Sequence, residues 1–427
     1  MEVSYFYGLC VLLGVGFGIS LLFRVLKLPS VVGFIIGGIL LGPFGFGIYS
    51  EEWVPLLIEA GAVLLLFVAG LELSNIVNIS SFHLPVKSAL FQLFLNLLGF
   101  LIVLAILNFN TNYYLTALIT SFVLSVSSTA LAIRFLQDRG EMETNYGLIS
   151  TTALLVQDIA TICFLMLLMI TRGIKGGEEK FFGFILGGIL GFVIIVLIIV
   201  GRNYISKFVG FVLSRGGRDL LTLFALFFAV AGAYIALKSG WSAGLGACMA
   251  GVMLGQSDEK HQLVSEVQPF QDVIYALFFI SLGMCFPVDW VVSNGRQVIL
   301  GVLGIVLLKV LINGVSLKLA GNSFRLSILV GVVLLPLSEF SFILGREAYK
   351  LGFVGEFWMN FIVSVTIFTM ILGSFAMLYL DKLNVIAINL LNRWSKNIPD
   401  SGLEFESCLA PHVVIIGYGL TGENLAK

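Results

Sequence analysis

Residues 124–129 read LSVSST and residues 337–341 read LSEFS, and each of these polar stretches lies inside a long apolar run. The two stretches begin 213 positions apart, and glycines elsewhere repeat at the same offset. The matching glycines are Gly33, Gly38, Gly42 and Gly70 in the first half and Gly246, Gly251, Gly255 and Gly283 in the second. Because three separate apolar runs agree on one offset, the sequence indicates an internal repeat. Chance coincidence in a glycine-rich chain is the alternative.

The composition is typical of a membrane protein. Of the 427 residues, 59% are hydrophobic and 11% are charged, and the mean hydropathy is +1.04. Soluble domains are about a quarter charged, so a soluble globular protein is excluded. The 24 Lys and Arg nearly balance the 25 Asp and Glu, which leaves no basic face for nucleic acid. The five cysteines and three histidines are scattered, which supports neither a disulfide framework nor a zinc site.

Apolar runs of about 20 residues predict membrane-spanning helices. The chain contains thirteen such runs. Their approximate limits are 5–26, 30–48, 54–72, 86–108, 113–136, 147–171, 181–201, 219–237, 241–257, 267–287, 297–318, 324–346 and 355–380.

The repeat relates spans 2, 3 and 5 to spans 9, 10 and 12. Matched spans are seven apart, an odd number, so the two halves must be inverted relative to each other, as in secondary transporters. We therefore predict an all-α polytopic membrane protein with about thirteen transmembrane helices in two inverted repeats with crossing discontinuous helices. The repeats cover about residues 1–171 and 219–380 of a transmembrane domain that spans residues 1–380.

The distribution of basic residues predicts the orientation. Loops on the side of Arg24 carry twelve Lys and Arg, whereas the opposite loops carry seven. The richer side is expected to be cytoplasmic. The amino terminus is then outside and the carboxyl end is in the cytoplasm.

The last part of the chain has a different character. After a linker over residues 381–410, residues 411–427 contain an apolar run followed by Gly417, Gly419 and Gly422 in a GxGxxG pattern. This pattern between a strand and a helix is typical of dinucleotide folds. We predict the incomplete start of a Rossmann-like α/β domain, whose complete form would bind a nucleotide. A chance match to this short pattern is the alternative.

Asp158 is the strongest candidate for an ion site. It lies in the middle of span 6, and a carboxylate at that depth is costly, so a functional role is favoured. Such a carboxylate can bind a desolvated cation or a proton, and that competition is the chemistry of an antiporter. Gln157 is predicted to supply a carbonyl oxygen to the ion or to bond Asp158. The alternatives are a structural carboxylate and a glutamine that faces a neighbouring helix.

The repeated polar stretches predict breaks in spans 5 and 12. Ser127, Ser128 and Thr129 can satisfy the backbone groups that an unwound helix frees, and oxygens at such breaks can coordinate a cation. Ordinary hydrogen bonds between helices are the alternative. Pro336 favours the second break, and Glu339 follows it. We expect the negative charge of Glu339 to oppose the positive N-terminal dipole where the half-helices meet, and we do not expect Glu339 to bind the ion.

Lys309, in span 11, is the basic residue deepest in a span, and it needs an acidic partner or a water-filled cavity. Glu339 is the expected partner and Asp158 is the second choice. Glu59 and Glu72 are interpreted as packing or interface charges of span 3.

Several segments resemble the Kef-type potassium:proton antiporters of the monovalent cation:proton antiporter-2 family. They are VVGFIIGGILLGP (31–43), FVAGLEL (67–73), SSTA (127–130), QDIA (157–160), FFISLGM (278–284) and SEF (338–340). Residues 413–422 resemble the start of the RCK or KTN domain that follows the membrane part of that family.

The resemblance implies an NhaA-like antiporter fold, a homodimer in the bacterial inner membrane and Asp158 as the carrier of cation and proton. It also implies an elevator-type movement of a core, formed by spans 3–6 and 10–13, against a dimer domain that contains spans 1, 2, 8 and 9. Regulation by glutathione or by a nucleotide such as AMP or NAD(H) would act through the tail. We therefore predict an antiporter and not an enzyme, which exchanges K⁺ for H⁺. The main alternative is a Na⁺/H⁺ antiporter. A K⁺ channel is disfavoured because this sequence has no filter segment of the TVGYG kind. An NAD-dependent oxidoreductase is supported only by the glycine pattern.

Overall fold

The computed structural model describes residues 2–43, 45–48, 53–73, 83–106, 114–142, 144–175, 207–212, 215, 219–238, 243–257 and 260–394. We number sixteen helices of these residues in chain order. They are α1 (Glu2–Val25), α2 (Ser30–Leu41), α3 (Trp53–Leu73), α4 (His83–Ile106), α5 (Tyr114–Ser125), α6 (Thr129–Arg139), α7 (Asn145–Lys175), α8 (Asp219–Lys238), α9 (Ala243–Gly255), α10 (Lys260–Met284), α11 (Val288–Ser293), α12 (Gly295–Leu319), α13 (Phe324–Val333), α14 (Glu339–Lys350), α15 (Glu356–Leu378) and α16 (Leu380–Trp394).

The helices agree with twelve of the thirteen predicted spans. Five helical segments of the described residues are long and apolar enough to cross a membrane, and shorter apolar helices account for most of the other spans. The seventh predicted span, 181–201, lies outside the described residues, so the total of thirteen stays a prediction. Gly417, Gly419 and Gly422 also lie outside them. Helix α16 occupies the first half of the predicted linker.

Both predicted helix breaks are confirmed. Helix α5 ends at Ser125 and α6 begins at Thr129, while α13 ends at Val333 and α14 begins at Glu339. The segments between the half-helices pair with each other in antiparallel fashion, with a bridge between Ser127 and Leu337. The two halves of the repeat therefore meet at their equivalent polar stretches.

This pairing satisfies backbone groups that the breaks leave free. The Ser128 N–H donates to Pro336 O over 3.1 Å, and the Ser338 N–H donates to Val126 O over 3.3 Å. The Ser128 hydroxyl caps α6 by accepting from the Leu131 N–H, and the Ser338 hydroxyl caps α14 in the same way. The two hydroxyl caps and the mutual backbone pairing therefore stabilise the crossover.

Close helix contacts through glycine occur twice in equivalent places. A Cβ on Gly38 of α2 would lie 1.9 Å from Ile280 O of α10, and one on Gly251 of α9 would lie 2.0 Å from Phe67 O of α3. Gly251 and Ile280 are each 213 positions after Gly38 and Phe67, respectively. The same backbone contact between the two halves thus occurs twice, which agrees with the internal repeat and explains why these positions require glycine.

The helices form two bundles. The first bundle contains α1, α2, α3, α8, α9 and α10, with α3 packed closely on α9 and α10. The second bundle contains α4–α7 and α12–α15 around the crossover. The resemblance had implied that spans 3 and 10 belong to the core with the crossover, and this is wrong, because their glycine contacts hold them against α9 and α2. A large apolar cluster joins the bundles.

Candidate functional site

Asp158 and Thr129 are brought together in the interior. Asp158 lies in the middle of α7 and its residue is 5% exposed, and Thr129 is the first residue of α6. The Thr129 hydroxyl donates to Asp158 Oδ2 over 2.8 Å. The break in the fifth span therefore places a hydroxyl beside the buried carboxylate.

A cavity of about 320 Å³ leads to this pair from the surface. Asp158 and Glu339 line its buried part, whereas Arg24, Gln137 and Asp138 line it where the chain is exposed. The remaining lining residues are Ala62, Leu65, Leu66, Val68, Thr129, Ala130, Ile133, Arg134, Tyr275, Phe278, Phe340 and Ile343. They come from α3 and α10 of the first bundle and from α6 and α14 of the second, so the cavity lies between the bundles.

Ser127 and Ser128 hold the crossover together and do not bond Asp158. The Ser127 hydroxyl donates to Leu334 O over 2.7 Å. The Ser128 hydroxyl donates to Glu339 Oε2 over 2.8 Å and accepts from the Leu131 N–H. Of the three predicted hydroxyls, Thr129 alone has a hydrogen bond to the carboxylate of Asp158 in the described part of the chain.

Lys309 forms hydrogen bonds to residues of the first helix break and to neither of the two predicted carboxylates. Its ammonium group is completely buried and donates to Val126 O over 3.0 Å and to Ser127 Oγ over 2.9 Å. The expected pairing with Glu339, and the second choice of Asp158, are therefore wrong. The unwound segment offers carbonyl and hydroxyl oxygens at the C-terminal end of α5, where a positive charge is favourable.

Glu339 lies at the opposite ends of the half-helices. It is the first residue of α14, and its carboxylate accepts from Ser128, which caps α6. The backbone of Ala130 also bonds this carboxylate. A negative charge thus lies at two helix N-termini, which is the favourable sign there. This geometry is the one expected for a structural role, although Glu339 also lines the cavity.

Gln157 faces away from the predicted partner. Its Oε1 accepts from the Ser127 N–H over 2.7 Å, and its Nε2 donates to Gln92 Oε1 over 3.1 Å. The predicted bond from Gln157 to Asp158 is wrong, because both polar atoms are used elsewhere and successive helical residues point about 100° apart. Glu59 is exposed on α3 outside the cavity, and the side chain of Glu72 lies outside the description.

Three buried amide side chains were not predicted from the sequence. Gln92 Nε2 donates to Asn313 Oδ1 over 2.8 Å, and Asn96 Nδ2 donates to the same oxygen over 2.7 Å. All three residues are fully buried. The sequence contained a signal for them, because Gln92 and Asn96 are four residues apart in the otherwise apolar stretch 89–106 of α4, and such a pair lies on one helix face.

The arrangement can hold a cation or a proton. A carboxylate and a hydroxyl at the end of a cavity supply oxygen atoms to a desolvated cation, and the carboxylate can alternatively take up a proton. Most of the lining residues that the first bundle contributes are apolar, among them Ala62, Leu66 and Phe278.

Comparisons with known proteins identify the family of the chain. The family described as sodium/hydrogen exchanger, transmembrane, matches residues 11–378. The iron transporter MagA of Paramagnetospirillum magneticum (strain ATCC 700264 / AMB-1) is 29% identical over 368 residues, which are 85% of this chain and 82% of that protein. The putative cation/proton antiporter YbaL of Escherichia coli (strain K12) is 26% identical over 423 residues, 96% of this chain and 75% of that protein.

Solved structures share the fold. The sodium proton antiporter MjNhaP1 of Methanocaldococcus jannaschii, determined at pH 8, superimposes with a TM-score of 0.58 at 15% identity, covering 90% of this chain and 98% of that one. An electron-microscopy structure of the same antiporter gives a TM-score of 0.54. At this identity the likeness concerns the fold alone.

Proposed function

Because the chain belongs to the sodium/hydrogen exchanger family, and is therefore a membrane cation/proton antiporter and not an enzyme, we propose that Asp158 is its shared carrier for cation and proton. The observation that supports this most is the Thr129–Asp158 pair at the buried end of a cavity that reaches the surface. One carboxylate cannot bind a proton and a cation at the same oxygen together, so each displaces the other. Thr129 supplies a second oxygen ligand.

The exchange proceeds by an elevator-type movement. Asp158, Thr129 and Glu339 all belong to the second bundle, whereas the apolar wall facing them belongs to the first. A displacement of the second bundle along this wall carries the site to the other side of the membrane. The wall offers few polar groups to hold the ion in transit, as a moving carrier requires.

The transported cation is K⁺, with Na⁺ as the alternative of the same fold. The Kef-like segments support K⁺, whereas the neighbours MjNhaP1 and YbaL fit a Na⁺ or other cation exchanger equally well. The name of MagA adds iron as a third ion to be tested.

Proteoliposomes test the assignment directly. Purified protein is reconstituted with a pH-sensitive dye inside, and gradients of K⁺, Na⁺, Rb⁺ or Fe²⁺ are imposed. We expect K⁺ to drive proton movement, and the apparent KM for K⁺ to rise as the pH falls. Proton movement driven by Na⁺ and not by K⁺ would identify Na⁺ as the transported cation. An apparent KM independent of pH would contradict the shared carboxylate.

The cellular setting belongs to the same proposal. We place the protein in a bacterial inner membrane as a homodimer, with the Arg24 end of the cavity in the cytoplasm, in accordance with the excess of Lys and Arg in the loops on that side. The segment with Gly417, Gly419 and Gly422 would begin a regulatory nucleotide-binding domain, on which glutathione or a nucleotide would act.

A further inference from the structure

A circuit of buried polar groups lies behind the candidate ion site. The Ser127 N–H donates to Gln157, Gln157 donates to Gln92, and Gln92 donates to Asn313. Asn313 and Lys309 are one turn apart on α12, and Lys309 returns to the Ser127 hydroxyl. We call these five residues the polar ring. It connects α4, α7, α12 and the extended segment of the first break.

Every member of the polar ring is at most 1% exposed. Buried amides are costly unless they are hydrogen-bonded, so a circuit of this kind favours the arrangement of helices in which these bonds form. Asn96 adds a second donor to Asn313 from the next turn of α4. The ring therefore fixes the rotation of α7 and the position of residues 126–128 relative to α4 and α12.

The polar ring adjoins both ligands of the candidate site. Gln157 precedes Asp158 on α7, and Ser127 lies two residues before Thr129, whose hydroxyl bonds Asp158. A helix that rotates at Gln157, or a segment that shifts at Ser127, changes the distance between the two oxygens that would hold a cation.

We propose that Gln92 and Asn313 are positioning residues of the ion site, which act through Gln157 and Ser127 to fix the spacing of Asp158 and Thr129 and so set the affinity for the cation. The inference rests on the proposed function of Asp158. Neither residue lines the cavity, so their effect on the ion is indirect.

The test separates affinity from rate. Gln92→Met and Asn313→Leu open the ring on two different helices with apolar side chains of similar size, and Thr161→Val is the matched control. Thr161 is equally buried on α7, but its hydroxyl donates to the backbone O of Gln157 within its own helix and bonds no side chain of the ring. Exchange is measured in proteoliposomes over a range of K⁺ and Na⁺, beside the wild type, and cation-dependent shifts in Tm are measured in detergent.

Loss of an outer partner of a metal ligand typically lowers affinity by about 10–100-fold, so each ring variant should raise the apparent KM at least about tenfold. The maximal rate should stay within about twofold, and the cation-dependent shift in Tm should shrink. Because one opening already breaks the circuit, the double variant should resemble a single variant instead of multiplying the two effects. Thr161→Val should keep the wild-type KM.

Three results would overturn the inference. One is a folded Gln92→Met or Asn313→Leu protein with unchanged KM and unchanged cation-dependent Tm shift. Another is a lower maximal rate at constant KM, which indicates a purely structural role, and the third is an equal rise of KM in Thr161→Val. If the wild type itself exchanges no cation, the proposed function fails first, and that outcome is recognised without any variant.

Discussion

The hydroxyl of Thr129 donates to Oδ2 of Asp158 over 2.8 Å, which joins the first residue of α6 to the middle of α7. The bond exists because the chain leaves the helix at Ser125 and restarts at Thr129. An unbroken helix would leave this hydroxyl bonded to its own preceding turn. The break therefore brings the two oxygen-bearing side chains of the candidate site together.

Thr129→Val is expected to weaken cation binding. Hydrogen bonds to charged groups contribute about 1.5–3 kcal/mol, which corresponds to a rise in apparent KM of about tenfold or more. Thr129→Ser retains the hydroxyl and should stay close to wild type. The KM for K⁺ and Na⁺ in proteoliposomes distinguishes the two variants, and equal values for Val and Ser would remove Thr129 from the ligands.

Asp158→Asn is expected to abolish exchange while the protein remains folded. The amide has the shape of the carboxyl group but can neither release a proton nor carry the charge that holds a cation. Glu59→Gln is the matched control, because it makes the same chemical change on an exposed carboxylate of α3 outside the cavity. Cation-driven proton flux in purified Asp158→Asn would show that another group is the carrier.

Acid should destabilise the connection between α6, α7 and α16. Arg139, at the end of α6, bonds Glu141 and also pairs with Asp381 of α16 over 3.1 Å. The Arg139 guanidinium lowers the pKa of Glu141 below its ordinary value of 4.5, and the Tyr146 hydroxyl also contributes. A carboxylate with a lowered pKa stabilises the folded state above the ordinary pKa, and this stabilisation is lost as the pH falls below that value.

Glu141→Gln should therefore lower the Tm at pH 7 and flatten its decrease below about pH 5. The control is Asp289→Asn, which removes an exposed carboxylate on α11. Both variants are followed by thermal unfolding in detergent. A Glu141→Gln protein with the full acid-induced decrease of the wild type would mean that Glu141 contributes nothing to it.

Lys309 and Glu339 should act independently. Lys309 donates to Val126 O and Ser127 Oγ, whereas Glu339 accepts from Ser128 on the other side of the crossover. Each of Lys309→Gln and Glu339→Gln weakens buried hydrogen bonds at a cost of about 1–3 kcal/mol. The double variant should therefore show the sum of the two losses in a double-mutant cycle. A double variant more stable than that sum would indicate a coupling that the hydrogen bonds do not contain.

Glu339→Gln also tests the structural interpretation of this residue. The amide keeps an oxygen for Ser128, so the variant should lose some stability and retain exchange through Asp158. A variant as stable as wild type that transports nothing would place Glu339 among the ion ligands.

The sequence contained the repeat, the breaks and the buried carboxylate, because each depends on residue type at a given depth. Gly38 and Gly251 mark equivalent contacts at one offset, and the Pro336 region marks a break by composition alone. The partners of Lys309 and Gln157 could not be predicted in this way. A buried ammonium can be satisfied by backbone oxygens as well as by a carboxylate, and the backbone oxygen of Val126 is freed only when the chain unwinds.

The bundle to which α3 and α10 belong could also not be predicted from the sequence. The apolar residues of a helix do not indicate which neighbouring helix they contact. Small residues indicate a close helix contact, but they are equally suited to either bundle. The contact of Gly70 with Cys248 O became meaningful only with both backbones in place.

Locking the two bundles together should stop exchange. Phe286, which follows α10 of the first bundle, packs edge-on against Phe368 of α15 in the second, with ring centroids 5.5 Å apart. Neither residue lines the cavity. An elevator-type movement of the second bundle must separate these rings, so a covalent bridge at this place prevents the movement while leaving Asp158 and Thr129 untouched.

The experiment uses Phe286→Cys and Phe368→Cys in a protein whose five native cysteines have been replaced, which includes the neighbouring Cys285. A bridge of minimum length is made with a reducible reagent that joins two thiols. Exchange should fall in proportion to the bridged fraction and return after reduction, since only the relative movement has been blocked. The two single-cysteine proteins treated with the same reagent should retain exchange. A fully bridged protein that still exchanges would show that the bundles do not separate here, and the carrier would then have to reach both sides by local opening of the crossover.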